Sequence, residues 1–252
     1  MATMSDRPLI SVAIPMHGDR APNVLALVAK LLPDPGPDFE VLVVDNHSPR
    51  DPSGNFSAIV DKRFRFVRNA TDVGMVANWN RCVEVSRGRW IVIVHSDDQL
   101  VPNAINAIRS AINAFRREGM ICFPGLDDFG RGILIDRNIS HPKEPECLPA
   151  GADAAMFLFR NAFYCSGIIV SRGVYEQIGG FDEALRYSAD EEFWLRVAAS
   201  FPIYYDPTRI CVYRRGEANS MMGMWKQPDI VELYRLTTEK AVGHFQAVDK
   251  RA

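Results

Sequence analysis

The sequence lacks the features of a membrane-spanning or disulfide-bonded protein. No run of 18 uninterrupted apolar residues occurs, so a transmembrane helix is not expected. The five cysteines are odd in number and widely spread, and they include no Cys-x-x-Cys pair, which argues for reduced thiols and against a zinc knuckle. Residues 1–8 carry charges and no apolar core of a secretory signal. We therefore expect a cytoplasmic protein, with at most peripheral membrane association.

An excess of charge of one sign is also absent. The 29 basic and 31 acidic residues leave a formal net charge of −2, which does not favour a nucleic-acid polymer or an anionic membrane as a partner. No Gly-x-Gly-x-x-Gly sequence follows the first apolar run, which argues against a dinucleotide-dependent oxidoreductase. Internal repeats, low-complexity tracts and long linkers are missing. The sequence is therefore expected to form a single domain over residues 1–252.

One stretch dominates the remaining sequence, an apolar run followed by two adjacent carboxylates. Residues 90–94 are rich in β-branched side chains and fit a strand of a parallel sheet that is covered on both faces. Asp97 and Asp98 would then lie at the carboxyl end of that strand, where open α/β sheets bind ligands. Two neighbouring carboxylates repel each other unless a cation compensates, which suggests a divalent metal held together with substrate phosphates. The alternative is that one acid caps a helix beginning near Pro102.

Strands and helices alternate regularly through the first half of the sequence. Short apolar runs predict strands, and apolar residues at helical spacing between them predict helices. Such alternation is typical of an α/β fold with a Rossmann-like, mostly parallel central sheet flanked by helices. The predicted strands are 9–15, 39–44, 64–68, 89–94 and 120–123, and the predicted helices are 24–32, 73–87 and 102–118.

The second half is predicted to form a smaller β/α region. Between residues 124 and 149 the alternation breaks into short pieces punctuated by Gly and Pro, with a hairpin strand at 132–135. A later helix begins at Asp190 with three acids in its first turn, where the helix dipole favours them. The other predicted elements are a helix at 151–160, strands at 163–170, 203–205 and 210–213, a turn at 179–182 and a C-terminal helix at 228–245.

Six blocks of sequence are individually weak signals but form a specific set when taken in order. They are 11–15 (SVAIP), 43–48 (VVDNHS), 72–82 (DVGMVANWNRC), 95–98 (HSDD), 179–183 (GGFDE) and 190–196 (DEEFWLR). In this order, over about residues 8–215, they resemble the family-2 glycosyltransferases of the GT-A fold. The resemblance implies an inverting transferase that moves a sugar from a nucleotide diphosphate donor to an acceptor hydroxyl or amine.

The resemblance also implies that different parts of the single domain have different roles. Residues 8–123 would form the half that binds the nucleotide sugar. Residues 124–215 would form the acceptor and catalytic half, which is the smaller β/α region. Residues 216–252 would form a flexible loop and the C-terminal helix.

The ends of the first two strands are implied to bind the nucleoside of the donor. In this sequence they provide Pro15, His17, Asp45 and Asn46. A carboxylate or amide oxygen there can accept the N3 proton of uracil or thymine, which favours a UDP- or dTDP-sugar. Asn46 stands where many relatives have a second Asp, so the base preference is open. The alternative for Asp45 is a turn-forming residue after a strand.

The adjacent acids match the end of the metal-binding block of the family. The resemblance implies that Asp97 and Asp98 bind the ribose and a divalent metal, Mg²⁺ or Mn²⁺, that bridges the diphosphate. Which of the two is the direct metal ligand is open. His95 replaces the usual first Asp of this block.

Three further residues are assigned to the donor site. They are Ser96 from the metal-binding block, Asn80 from the block at 72–82, and Arg68 as a phosphate partner. Arg81 is a second candidate for the phosphates, and the alternative for both arginines is a solvated surface position. Trp79 and Trp194 are aromatic residues that could stack on sugar rings. Their helical spacing among apolar neighbours favours a position in the core instead.

The catalytic base is implied to be Asp190, which precedes the Trp194-Leu195-Arg196 sequence at the spacing found in the family. Inversion requires one carboxylate to take the acceptor proton as the acceptor attacks the anomeric carbon. Ala189 stands where a Glu is usual, and Glu191 is its nearest substitute. Helix capping by Asp190 is the alternative, and it is compatible with catalysis.

Departures from the family pattern keep a second class of function open. Many relatives have a His after the final Tyr-Arg strand, whereas this sequence has none and offers Glu217 or Arg214 and Arg215 instead. A non-catalytic protein that binds a nucleotide sugar on the same fold is the alternative to the enzyme. Retention of Asp97, Asp98 and Asp190 favours the enzyme.

The expected partners are a nucleotide sugar and an acceptor that is a glycan, a lipid-linked molecule or a small molecule. The sequence does not identify the donor sugar or the acceptor. The C-terminal helix has two alternative docking surfaces, its own domain or a second copy of the chain in a homodimer.

Overall fold

The centre of the fold is strand β1 (Ile10–Met16), all seven residues of which are buried. The computed structural model describes residues 7–130, 134–136, 141–161, 163–215 and 228–249. The remaining strands are β2 (Phe39–Asp45), β3 (Phe64–Arg68), β4 (Trp90–Ile93), β5 (Gln99–Leu100), β6 (Met120–Cys122), β7 (Gly125–Asp128), β8 (Leu134–Ile135), β9 (Glu146–Leu148), β10 (Ile168–Ser171), β11 (Ile203–Tyr205) and β12 (Cys211–Arg214).

Eight strands form the main sheet in the order β3-β2-β1-β4-β10-β6-β11-β9. The first four are parallel to one another, as expected from the alternation of strands and helices. Strand β10 lies antiparallel between β4 and β6. This places the start of β10 beside the carboxyl end of β4, which is the end that carries the adjacent acids.

A second, smaller sheet has the order β5-β12-β7-β8. Strand β12 is parallel to β7 and antiparallel to β5. Because β5 follows directly after Asp98, the pairing of Val212 with Gln99 brings the end of β12 close to the same edge of the main sheet.

The helices are α1 (Ala21–Leu31), α2 (Ser53–Phe56), α3 (Met75–Val85), α4 (Ala104–Phe115), α5 (Ala152–Arg160), α6 (Arg172–Ile178), α7 (Ala189–Ser200) and α8 (Ile230–Asp249). Helices α1 and α4 pack on the face of β1 that carries Val12 and Ile14. Ala13 points to the opposite face, against Cys82 of α3. Both faces of β1 are therefore covered, which explains why this strand is apolar except for Ser11. No helix in the described ranges is long and apolar enough to cross a membrane.

The α/β fold class predicted from the sequence is confirmed, with differences in detail. The strand expected at 163–170 starts only at Ile168, because residues 165–167 form a 3₁₀ turn. Strand β4 ends at Ile93, one residue before its predicted limit, and the two acids follow in a turn beyond its carboxyl end. Strands β5, β7 and β9 and helix α6 were not predicted, because these elements are short. Only 134–135 of the hairpin predicted at 132–135 lies within the described residues.

The C-terminal helix α8 docks on its own domain, chiefly against α7. The predicted flexible loop begins at residue 216, and residues 216–227 lie outside the described part of the chain. Glu217 is one of them, so the structure does not describe its position.

Candidate active site

A cleft of about 440 Å³ opens at the carboxyl ends of β1, β2 and β4. Seven of the predicted site residues line it: Pro15, His17, Asn46, Ser96, Asp97, Asp98 and Asp190. Asp45, Arg68 and Asn80 do not line it. The two acids after β4 and the acid at the start of α7, which are 92 to 93 residues apart in sequence, therefore meet at one cavity.

Asp97 and Asp98 occupy different environments in the turn after β4. The turn is closed by a 3.0 Å hydrogen bond from the Asp98 backbone N–H to the His95 carbonyl. The Asp97 carboxylate lies 3.5 Å from a guanidinium nitrogen of Arg20. Asp98 is only 4% exposed, and its Oδ2 accepts a 2.6 Å hydrogen bond from the hydroxyl of Ser166. Neither acid caps α4, whose first turn follows Asn103 without a side-chain cap.

The second oxygen of the Asp98 carboxylate, Oδ1, is buried without a hydrogen-bond partner. Burial raises the pKa of Asp98 to about 7. The hydrogen bond from Ser166 opposes this rise, the charge of Asp97 adds to it, and the backbone N–H and charge of Arg214 oppose it. A buried carboxylate oxygen that no protein donor satisfies is costly. The arrangement is suited to a cation or donor that arrives with the ligand.

His95 forms part of the same wall of the cleft. Its imidazole stacks on the indole of Trp79 with ring centroids 5.1 Å apart, and its Nε2 is buried without a hydrogen-bond partner. Burial lowers the pKa of His95, since it disfavours the imidazolium form, although the charge of Asp97 opposes this. Where the family pattern has an acid, this chain therefore presents a flat, uncharged ring.

Ser166 is a site residue that the sequence analysis did not single out. It is fully buried, and its hydroxyl accepts a 3.1 Å hydrogen bond from the His95 backbone N–H while it donates to Asp98. The 3₁₀ turn before β10 places it there, because β10 runs antiparallel to β4. The signal in the sequence was a Ser within an apolar stretch. The local pattern does not show that this Ser contacts Asp98.

Asp190 lies in the first turn of α7, at the cleft. Its Oδ1 accepts a 2.9 Å hydrogen bond from the Glu191 backbone N–H. Ser188 rather than Asp190 is the N-cap residue, so the capping role considered for Asp190 does not apply. Loss of solvation raises the pKa of Asp190 to about 6, opposed by backbone hydrogen bonds from Glu191 and from its own N–H. Glu191 also lines the cleft, and desolvation together with the Asp190 charge raises its pKa to about 7.

Asn46 organises the part of the cleft near the ends of β1 and β2. Its Oδ1 accepts hydrogen bonds from the backbone N–H of Val73 and from Asn69, and its Nδ2 donates to Asp72. Its backbone carbonyl lies 3.0 Å from Nδ1 of His17. The Asn46 amide thus holds the loop before α3, and Asp72, which was not assigned a role from sequence, lines the cleft beside it.

Asp45 is fully buried beneath the cleft rather than exposed to it. Its carboxylate forms an ion pair with Arg68 and accepts hydrogen bonds from the hydroxyl and backbone N–H of Ser48. Arg68 also donates a 2.8 Å hydrogen bond to the Ser48 carbonyl. Asp45 and Arg68, both predicted to bind the donor, therefore hold the loop after β2 in place.

Asn80 bridges two elements away from the cleft. It donates to the carbonyl of Phe181 and accepts from the Phe181 backbone N–H at 2.8 Å. Arg81 pairs with Glu84 on the surface of α3. Trp79 and Trp194 are 4% and 8% exposed, so most of each indole belongs to the core while one edge lines the cleft.

Two tyrosines that sequence analysis missed form another wall. Tyr164 and Tyr213 both line the cleft and stack with ring centroids 4.6 Å apart. The hydroxyl of Tyr164 donates a 2.5 Å hydrogen bond to the buried Asp127, which also pairs with Arg215. The tyrosines lie 49 residues apart in sequence, so the stack becomes visible only in the folded structure.

The described part of the chain contains no group of three or more His, Cys, Asp or Glu side chains placed to hold a metal ion. Asp97 and Asp98 alone would leave most positions around a divalent cation to other ligands.

A family comparison identifies the chain. The model of glycosyl transferase family 2 matches residues 11–168, which include β1, the two acids after β4 and Ser166. The chain belongs to glycosyl transferase family 2. The resemblance noted from the six blocks is thereby confirmed, and the chain is a glycosyltransferase.

Curated relatives of this family-2 glycosyltransferase include uncharacterized and named proteins. An uncharacterized protein of Mycobacterium tuberculosis is 28% identical over 225 residues, covering 84% of this chain and 69% of the relative. An uncharacterized glycosyltransferase of Methanocaldococcus jannaschii is 22% identical and covers 95% of this chain and 82% of the relative. The succinoglycan biosynthesis protein ExoO of Rhizobium meliloti is 28% identical over 177 residues, covering 68% of this chain and 50% of ExoO.

Solved structures show the same GT-A fold. Residues 1–349 of TarS from S. aureus, in complex with UDP-GlcNAc, match with a TM-score of 0.72 and 18% identity, covering 92% of this chain and 66% of the TarS chain. The TarS complex with UDP matches with a TM-score of 0.70 and 17% identity. The chain thus spans about two thirds of the TarS fragment and half of ExoO.

Proposed function

We propose that this glycosyltransferase moves a sugar, with inversion at the anomeric carbon, from a UDP- or dTDP-sugar to an acceptor hydroxyl or amine. One observation carries the proposal: Asp97 and Asp98 line the same cleft as Asp190. Transfer with inversion needs a site for the diphosphate leaving group and one carboxylate for the acceptor proton. The cleft offers candidates for both roles.

Asp97 and Asp98 would hold a divalent metal, Mg²⁺ or Mn²⁺. Their carboxylate oxygens are the ligand type that such ions prefer, and the buried Oδ1 of Asp98 has no protein partner. Since the described residues place no third His, Cys, Asp or Glu with them, the phosphates of the donor would contribute to the coordination. When bound, the ion would supply positive charge that stabilises the departing diphosphate.

Asp190 would act as the general base. A base works best when its pKa lies near the working pH, and the raised pKa of about 6 meets that condition while leaving the group ionised at neutral pH. Its side chain is fixed by the first turn of α7 and by the Glu191 backbone N–H. Glu191 lies beside Asp190 in the cleft. It would influence the local charge, whereas Asp190 would act as the base.

The nucleoside would bind near Pro15, His17 and Asn46, at the ends of β1 and β2. TarS, whose fold this chain shares, forms complexes with UDP and with UDP-GlcNAc, which supports a uridine nucleotide here. The name of ExoO refers to succinoglycan biosynthesis, which supports a glycan or lipid-linked glycan as acceptor.

The donor site can be tested by calorimetric titration with UDP, dTDP, GDP and CDP, each with and without Mn²⁺ or Mg²⁺. We expect metal-dependent binding of UDP or dTDP that is lost in Asp97→Ala and in Asp98→Ala. Glu84→Ala is the matched control, because Glu84 is an acid on the exposed face of α3. Absence of nucleotide binding under every metal condition would contradict the proposed donor site. Binding without turnover of any sugar nucleotide would favour the non-catalytic alternative.

A further inference from the structure

We infer that helix α8 is a positioning element for Asp190, acting through Thr237 and His244. This inference rests on the proposed role of Asp190 as the base. Thr237 and His244 contact the residues two positions before and two positions after Asp190, so that the acid sits between two fixed points. We call these two side chains the α8 anchors.

The first anchor is a buried pair of hydroxyl groups. The Oγ1 of Thr237 lies 2.7 Å from the Oγ of Ser188, the N-cap residue of α7. Ser188 and Thr237 are 1% and 3% exposed. Thr237 also donates a 2.9 Å hydrogen bond to the Leu233 carbonyl, so it is itself held within α8. Because water does not reach this contact, the pair has no competing partner in solvent.

The second anchor reaches α7 one turn later. His244 Nε2 lies 2.9 Å from Oε1 of Glu192, a residue that is only 2% exposed. Arg196 binds both oxygens of the same carboxylate and donates to the carbonyls of Ile178 and Gly180. Glu192 therefore joins α7 to α8 on one side and to the turn before Phe181 on the other.

Two surface ion pairs bring α8 onto the segment that leads into α7. Lys240 pairs with Asp182, and Arg186 pairs with Asp229 at 3.0 Å. These exposed pairs contribute little energy on their own. They show that α8 and Asp229, the residue directly before it, lie against residues 182–186 of this segment.

The backbone before Asp190 needs such support. Arg186 has φ 46° and ψ −101°, which breaks the helical path between the preceding 3₁₀ turn and α7. A residue other than Gly with positive φ is strained and persists only where its surroundings hold it. The strained connection ends at Ser188, which is the residue that Thr237 contacts. Without the contacts from α8, the strained connection could relax and displace the start of α7, and Asp190 would move with it.

The test uses the full chain and requires neither donor nor acceptor. The double variant Thr237→Val/His244→Ala removes both anchors, and Thr237→Ser/His244→Gln keeps a hydroxyl and an N–H donor at the two positions. Arg235→Ala is the matched control, because Arg235 lies on the exposed side of α8 and, within the described part of the chain, its ion pairs are with Glu232 and Glu239 of the same helix. Amide hydrogen exchange and the carboxyl titration of Asp190 by NMR, assigned with Asp190→Asn, are the two readouts.

In the double variant we expect amide exchange across residues 186–192 to be roughly tenfold faster than in the Arg235→Ala control, since about one hydrogen bond is lost at each anchor. Exchange in β1 and β4 should not change. The pKa of Asp190 should fall from about 6 towards the ordinary value of an Asp, because the loosened turn admits water. The conservative double variant should retain the behaviour of the wild type.

Exchange and titration equal to those of Arg235→Ala would overturn the positioning role. Faster exchange throughout the molecule, with the Asp190 pKa unchanged, would also overturn it, because α8 would then support the domain as a whole. Neither readout depends on catalysis, so failure of the anchors is distinguishable from failure of Asp190 as the base, which is measured by turnover.

Discussion

The hydroxyl of Ser166 donates a 2.6 Å hydrogen bond to Oδ2 of Asp98, joining residues 68 positions apart in the sequence. Ser166 is fully buried and Asp98 nearly so. The bond leaves Oδ1 of Asp98 as the unsatisfied oxygen of that carboxylate. The Ser166 hydroxyl therefore engages one oxygen of the Asp98 carboxylate and leaves the other without a side-chain donor.

Ser166→Ala should weaken metal-dependent binding of UDP about tenfold or more, because groups that orient a metal ligand typically contribute 10- to 100-fold to affinity. The measurement is calorimetric titration with UDP at fixed Mn²⁺. The matched control is Ser171→Ala, which removes another buried hydroxyl, one that accepts from the Gly119 backbone N–H away from the cleft. Equal affinities for the two variants would show that the Ser166 hydroxyl does not orient Asp98.

Asp45→Asn should destabilise the protein by roughly 2 kcal/mol, since Arg68 would lose the partner of a buried ion pair. Affinity for UDP at low temperature, where the variant stays folded, should be retained because Asp45 does not line the cleft. Denaturant unfolding and calorimetry measure the two effects. Glu84→Gln, on an exposed acid, should leave stability unchanged. A stable variant that fails to bind UDP would assign Asp45 to the nucleoside after all.

Turnover should depend on pH through the ionisation of Asp190. The base must be deprotonated to accept the acceptor proton, and its pKa is raised to about 6. We therefore expect kcat to rise as the pH increases through about 6 and to level off above it. The rate is to be measured at saturating donor and metal. A kcat that is independent of pH between 5 and 7.5 would contradict the assignment.

The contribution of Asp190 to the free energy of unfolding should fall as the pH rises, whereas kcat should rise. The pKa of Asp190 is higher in the folded chain than in the unfolded chain, so its contribution to stability is complete below about pH 4 and is lost as the pH rises through about 6. Asp190→Asn should therefore melt at least ~2 °C higher than the wild type at pH 8. The two melting temperatures should converge near pH 4. A variant that is less stable at pH 8 would show that the charged carboxylate is favourably paired.

The sequence pattern was sufficient to predict the parallel core and the ends of its strands. Strands β1 to β4 lie within two residues of their predicted limits, because each is a short, largely apolar segment between turn-forming residues. Asp97, Asp98 and Asp190 were placed at the carboxyl end of a strand and the start of a helix, positions that local pattern determines. Their convergence on one cleft follows from the topology of the sheet.

The partners of these residues could not be predicted in the same way. Ser166 reaches Asp98 through an antiparallel strand whose position in the sheet has no local signature. The burial of Asp45 depends on Arg68, which the pattern placed at the phosphates instead. His244 was assigned no role, because its contact with Glu192 spans 52 residues. Long-range side-chain contacts of this kind arise only once the elements have packed.

Turnover by Asp190→Asn, compared with turnover by Glu191→Gln, is the most direct test of whether Asp190 is the general base. Release of nucleoside diphosphate from a sugar donor measures the rate, and UDP titration confirms that the donor site is intact. We expect kcat to fall by roughly 10²- to 10⁴-fold in Asp190→Asn, the usual contribution of a general base, while UDP affinity is retained. Glu191→Gln should retain most of the activity. Wild-type turnover in folded Asp190→Asn would contradict the claim that this carboxylate accepts the proton.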